Sequence, residues 1–135
     1  MAGENDCAFC KIINHELPEF KIYEDDKYLA FLSIDPKAIG HTILVPKKHC
    51  RWAHEIDNPG EFFSLGVKIS KACMKGMNAE TVSFLTLGMQ VPHAALWIVP
   101  RNEGDHHGKL IDFSVHLHFS KEQYEAIAEK IRQSF

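Results

Sequence analysis

The chain has 135 residues, 45% of them hydrophobic, which is enough for one core and too few for two ordinary domains. A single domain over residues 1–135 is expected. The formal charge of −3 and the lone Lys47-Lys48-His49 cluster, which reads as a solvated loop, supply no basic face for nucleic acid. No apolar run of signal-peptide or membrane-spanning length occurs, and Gly3 stands one place too late for a myristoylation signal. A cytoplasmic or nuclear protein without a membrane partner is expected, with its four cysteines reduced.

In chain order, residues 20–24, 28–33 and 41–45 are short β-branched or aromatic runs, separated by Asp25-Asp26 and by the stretch from Pro36 to Gly40. They predict three strands. Asn58-Pro59-Gly60-Glu61 supplies an N-cap, a proline in the first turn and a capping-box glutamate. Phe62, Leu65, Ile69 and Cys73 then follow on one face of a main helix ending near Gly76. Residues 81–87, 93–99 and 113–119 predict further strands. Ser120 and Gln123 cap a final helix with Tyr124, Ile127, Ala128, Ile131 and Phe135 on one face. Strands beside one another with helices packed on a face give an α+β domain.

The run Val91-Pro-His-Ala-Ala-Leu-Trp-Ile-Val-Pro-Arg101 puts His93, Ala95 and Trp97 at alternate positions of one strand, hence on one face. With Gly88 upstream, with Cys7-Ala-Phe-Cys-Lys-Ile-Ile13 and Leu17-Pro18, and with Gly40-His-Thr-Ile-Leu-Val-Pro-Lys-Lys-His49, the chain resembles the histidine-triad (HIT) family almost end to end. The resemblance implies a HIT-like fold, an antiparallel sheet of about five strands with a main helix and a C-terminal helix, paired with a second copy as a homodimer.

It also implies where chemistry should sit. The family's second histidine is a nucleophile that attacks the α-phosphorus of a nucleotide, and Ala95 holds that place. Trp97 holds the third histidine's place, and an indole cannot shuttle a proton. Its ring either fills the vacated pocket, the favoured outcome, or offers a base-stacking platform. The family's glycine-rich phosphate cradle becomes Val82-Ser-Phe-Leu-Thr-Leu-Gly-Met89, with Phe84 in a glycine place and Met89 in the glutamine place. Ser33 replaces the carboxylate that accepts the ribose hydroxyls. No catalytic residue is therefore expected. Phe9, Ile12, Leu17, Phe31 and Ile34 match the walls of the purine pocket and are either core packing or a vestigial base cleft.

Cys7-x-x-Cys10 alone is ambiguous between metal binding and redox chemistry. In a subset of the family it is joined by the histidine after Pro-Lys-x and the first triad histidine, so the resemblance implies a Cys2His2 set of Cys7, Cys10, His49 and His93. Such a set suits a closed, structural zinc; the alternative is two thiols and two solvated imidazoles.

Two functions follow as expectations. One is a HIT-fold protein that has lost nucleotide phosphoramidase or hydrolase activity and serves as a zinc-stabilised binding or regulatory protein. Its partners would be a weak purine nucleotide or nucleoside, or another protein. The other is an active nucleotide hydrolase using an unrecognised nucleophile such as His116 or His118, which share a strand face in the predicted strand. His106 and His107 lie in a loop by composition, within reach of a neighbouring pocket.

Overall fold

The structure, a computed structural model, describes residues 7–135; Gly3, considered above as a lipidation site, lies outside them. Its elements are helix α1 (Ala8–Ile13), strands β1 (Lys21–Glu24), β2 (Tyr28–Leu32) and β3 (Thr42–Pro46), a 3-10 turn at Ala53–Glu55, helix α2 (Pro59–Met77), strands β4 (Thr81–Leu87) and β5 (Ala95–Arg101), and helix α3 (Lys121–Arg132). The five strands form one sheet in the order β1-β2-β3-β5-β4, and every neighbouring pair is antiparallel. This is the α+β architecture expected from the sequence.

Local chemistry sets each boundary. The β1–β2 turn is held by Asp25, whose Oδ1 accepts from the backbone N–H of Lys27 at 2.7 Å and of Tyr28 at 2.8 Å. Asn58 Oδ1 accepts from Glu61 N to cap α2, and Asn78, in the left-handed region at φ 53°, ends it. Ser120 and Gln123 form the reciprocal capping box of α3. Helix α1 is a single short helix that apolar periodicity did not reveal. Its cap is Cys7, whose sulfur accepts from Cys10 N, so a cysteine pair stands where serine or aspartate would normally signal a helix start.

The middle strands are buried on both faces, and the two-residue period decides which side chain goes where. Leu44, Leu96 and Ile98 join Phe62 and Ile69 of α2 and Ile131 of α3 in the larger cluster. Leu29, Phe31, Ile43, Val45, Ala95, Trp97 and Val99 face the other way and are covered in part by Phe9 and Ile12 of α1. Fully burying one such aliphatic or aromatic side chain contributes about 1.5–3 kcal/mol.

Two predicted strands need correction. Residues 113–119 alternate apolar and polar but join no sheet. Their carbonyls are taken by a side chain: Lys37 Nζ donates to Phe113 O at 3.1 Å and Val115 O at 2.8 Å. A single backbone bond, Leu117 N to Pro36 O, ties the segment to the rest. The strand expected from residue 93 begins at Ala95, because His93 N closes a tight turn onto Val91 O and Ala94 N goes to Cys50 O.

Close helix packing singles out one glycine. A Cβ on Gly76 would lie 3.1 Å from Ile131 Cα and Lys130 O, so α2 and α3 approach there at backbone distance. Gly76→Val should therefore lower unfolding free energy by about 1–3 kcal/mol, measured by urea titration. An unchanged urea midpoint would show that the helices separate without cost.

Candidate metal centre and adjoining cavity

Four side chains far apart in sequence converge beside α1. Cys7 caps that helix and Cys10 lies in its first turn; His49 follows β3, and His93 sits in the turn before β5. Cys7 Sγ is 3.2 Å and Cys10 Sγ 3.4 Å from His93 Nδ1, and Cys10 Sγ is 3.1 Å from His49 Nδ1. All four donor atoms lie within 4.8 Å of one another, and Cys7, Cys10 and His93 are buried. Sulfur and nitrogen ligands on one tetrahedral ion stand about 3.6 Å apart at ordinary bond lengths. The cluster is thus close to the geometry a metal needs, and these four residues can form a metal site.

The tautomer agrees. His93 Nε2 is 2.7 Å from Pro46 O, a carbonyl that can only accept, so Nε2 carries the proton and Nδ1 presents its lone pair to the thiols. Cys10 N also donates to Cys7 Sγ at 3.3 Å. Two thiolates and two neutral imidazoles balance a divalent ion without leaving net charge in the core.

Phe9 links this cluster to the second feature, with its ring edge-on to His93 at 6.0 Å and to Phe31 at 5.5 Å. Beyond it lies a cavity of about 320 Å³. Phe9, Ile12, Leu17, Phe31 and Ile34, the five residues picked out as purine walls, all line it, together with Ala95 and Trp97. Ile34 forms an exposed rim at 84% accessibility. Trp97 does not fill the space. Its indole is drawn toward His41, ring centroids 4.7 Å apart, and toward Phe113 at 5.8 Å, so the cavity stays open in front of it.

His41 explains part of that attraction. Its Nδ1 accepts from Lys37 N at 3.1 Å, so the proton sits on Nε2, which has no hydrogen-bond partner among the described residues. The edge-on contact with the indole is the setting for an N–H···π contact. Burial, aided by the charge on Lys37, pushes the His41 pKa down to about 3, and the ring is neutral at pH 7.

The residues expected to spoil the phosphate cradle are placed unevenly. Met89 is 76% exposed and does not line the cavity, whereas its neighbour Gln90 does. Phe84 pairs with Ile98 and so faces away from the Trp97 side of the sheet, while Leu85 and Leu87 hold that side. The Phe84 ring therefore does not stand on the cavity side, whatever its backbone place in the cradle. Strand parity was available in the sequence, but the position was judged by its place in the motif. Glu19, Asp35, Gln90 and Val91, all cavity residues, were missed because they lie in loops without periodicity. Ser33 is buried and lines the cavity; its hydroxyl accepts from Asp35 N at 3.2 Å.

None of the later histidines lines the cavity; among the described residues only His93 does. His107 donates from Nε2 to Lys37 O at 2.7 Å and accepts from Asp112 N. His106 and His118 are exposed. His116 Nδ1 lies 2.7 Å from Asp35 Oδ1, so it touches a cavity residue from outside.

Residues 14–119 match the HIT domain. The chain is 35% identical over 102 residues to the adenosine 5'-monophosphoramidase of Saccharomyces cerevisiae, covering 72% of this chain and 63% of that one. A HIT-like protein from Bartonella henselae, solved with an unknown ligand, superimposes with a TM-score of 0.85 at 32% identity and full coverage of both chains. A zinc-bound histidine-triad family protein from Mycobacterium smegmatis superimposes with a TM-score of 0.80 at 26% identity, covering 98% of this chain and 94% of that one.

A metal held by four residues from separate segments binds only the folded state, so its removal should show in stability. A strong chelator should lower the melting temperature by at least about 5 °C. Cys10→Ser should melt lower than wild type and lose its response to chelator. Equal melting curves for wild type with and without chelator would leave the cluster as two thiols and two imidazoles.

Proposed function

Because the chain belongs to the HIT domain family, we propose that it is a zinc-stabilised member that has lost nucleotide phosphoramidase or hydrolase activity and acts as a binding or regulatory protein. One observation carries this. The nucleophile's position is Ala95, beside an open cavity where, among the described residues, the lone histidine is His93 of the metal cluster. A methyl group has no lone pair to attack phosphorus. Loss of a covalent nucleophile typically leaves on the order of 10⁻⁴ to 10⁻⁶ of the rate.

Zinc is the ion that suits the donors. The sulfur and nitrogen set contains no carboxylate, and four protein ligands leave no open position for water, so the ion would be structural. Bound there, it would supply cross-linking of α1 to the segments flanking β3 and β5, with Cys7, Cys10, His49 and His93 holding it. The zinc-bound mycobacterial relative supports this assignment. The five apolar walls make a vestigial base pocket for a weakly bound purine nucleoside. Four free thiols fit a reducing cytoplasmic or nuclear compartment, and no helix among the described residues is long and apolar enough to cross a membrane.

The partner we favour is a second copy. β4 is an outer strand with one unpaired edge, and Phe84 on it and Phe63 and Val67 on α2 are large apolar groups 39–44% exposed. Pairing through this face would bury them.

A second function is favoured by the His116–Asp35 pair, since an imidazole oriented by a carboxylate at a cavity is a possible nucleophile. His116 lies outside the cavity lining, and Asp35 is shared with the Lys37 ammonium at 3.2 Å. This reading therefore ranks second.

The purified protein should hydrolyse an adenosine phosphoramidate no faster than buffer, and turnover that disappears in His116→Ala would establish the second function instead. Ala95→His with Trp97→His should restore little, because Ser33 cannot accept two ribose hydroxyls; substantial turnover there would refute the pocket's loss. Elemental analysis of tag-free protein should find about one zinc per chain, and less than about half would sink the zinc assignment. Sedimentation should give a dimer that Phe84→Glu converts to monomer; a monomeric wild type would remove the second copy.

A further inference from the structure

The cavity has a charge character that its apolar walls conceal. Its volume of about 320 Å³ lies at the lower end of small-molecule sites, about 300–1,000 Å³. Phe9 and Phe31 meet edge to face on one side, and Trp97 and Leu87 contribute further apolar surface. The ionisable residues that line it are Glu19, Asp35 and the buried cluster histidine His93; among the described residues no lysine or arginine does.

The ammonium beside Asp35 is already engaged. Lys37 is 2% exposed, and its ammonium is surrounded by Asp35 Oδ2, Phe113 O and Val115 O at 2.8–3.2 Å and by His116 Nδ1 at 3.4 Å. Asp35 stays ionised: partial burial works against its charge, but hydrogen bonds from His116 and Lys37 outweigh that and hold its pKa below the usual value. Glu19 makes no ion pair within 4 Å among the described residues; the Lys21 ammonium that feels its charge is bonded to Glu24 instead. Gln90 adds a neutral amide that both donates and accepts.

We infer that the cavity takes an aromatic ligand carrying a positive charge, of the arylalkylamine class, and discriminates against anions, nucleoside phosphates among them. The ring would lie among Phe9, Phe31 and Trp97, and the ammonium would meet Glu19 and Asp35 at the mouth. A phosphate at the same place meets the Glu19 carboxylate, while the Lys37 ammonium that could offset it is already engaged by Asp35 and two carbonyls, and like charges in a partly desolvated site are costly. This rests on the cavity being a binding site and not on the zinc or on the loss of catalysis.

Three probes with one ring and different charge test it: 2-phenylethylamine, 2-phenylethanol and 3-phenylpropanoate, with AMP as the phosphate, titrated by protein-observed NMR at fixed ionic strength. The amine should bind at least about tenfold more tightly than the propanoate, with the alcohol between. Glu19→Gln should bring amine and alcohol together by weakening only the amine. Ile34→Lys changes an exposed rim residue and leaves the core intact; it should weaken the amine and tighten the propanoate. Equal affinities, tighter binding of propanoate or AMP, a cation preference unchanged in Glu19→Gln, or no binding of any probe at 5 mM would each overturn the inference. Phosphoramidate hydrolysis by the wild type would refute the loss of catalysis and leave the probe ranking standing, so the two failures are distinguishable.

Discussion

The structure depends on one constraint, the burial of β5 on both faces. A strand with water on neither side has no free choice of side chain: Leu96 and Ile98 must fill the space under α2 and α3, and Ala95, Trp97 and Val99 must fill the space opposite. A one-residue slip would exchange the two sets and ruin both clusters. Every position around the cavity inherits its side from that register. His93 falls just outside the strand, where Pro92 precedes it and its own N–H closes a tight turn, and it is fixed instead by its Nε2 bond to Pro46 O at the end of β3. The metal cluster and the cavity thus hang from the same pair of neighbouring strands.

Where sequence and structure agree, the signal was chemical and local. The caps of α2 and α3 were legible because Asn58 and Ser120 satisfy donors that no helix can satisfy itself. The strands β1 to β5 were legible from β-branched runs and their punctuation. The convergence of Cys7, Cys10, His49 and His93 was legible only through family resemblance, because no spacing rule brings residues 7 and 93 together. Residues 113–119 misled because alternation reports which faces a segment has, not what its carbonyls bond to. Here a buried lysine took the place of a neighbouring strand. Glu19, Asp35 and Gln90 escaped notice because loop residues gain their meaning from tertiary position alone.

The two parts of the site have different tolerance for change. A closed cluster of four ligands needs every member, since losing one leaves the others buried around an incomplete shell. The nucleophile's position has no such structural duty. Ala95 is 2% exposed and packs as a small core residue, so replacement of an imidazole by a methyl removes chemistry while leaving the sheet register untouched.

Removing bulk from a buried strand should ordinarily collapse the space beside it, because cores are packed nearly as densely as crystals. The cavity survives because its walls are held from behind. Phe9 and Ile12 belong to α1, whose cap Cys7 and third residue Cys10 are in the four-residue cluster; Phe31 is fixed by β2; and Trp97 packs against His41 and Phe113. Lys37 secures that last arrangement: its backbone N–H orients His41, and its ammonium grips the carbonyls of Phe113 and Val115. Swinging into the open apolar space would cost the indole its edge contacts with the His41 and Phe113 rings. The ammonium of the same lysine is taken up by Asp35 and two carbonyls, so it adds no free positive charge to the space beside it.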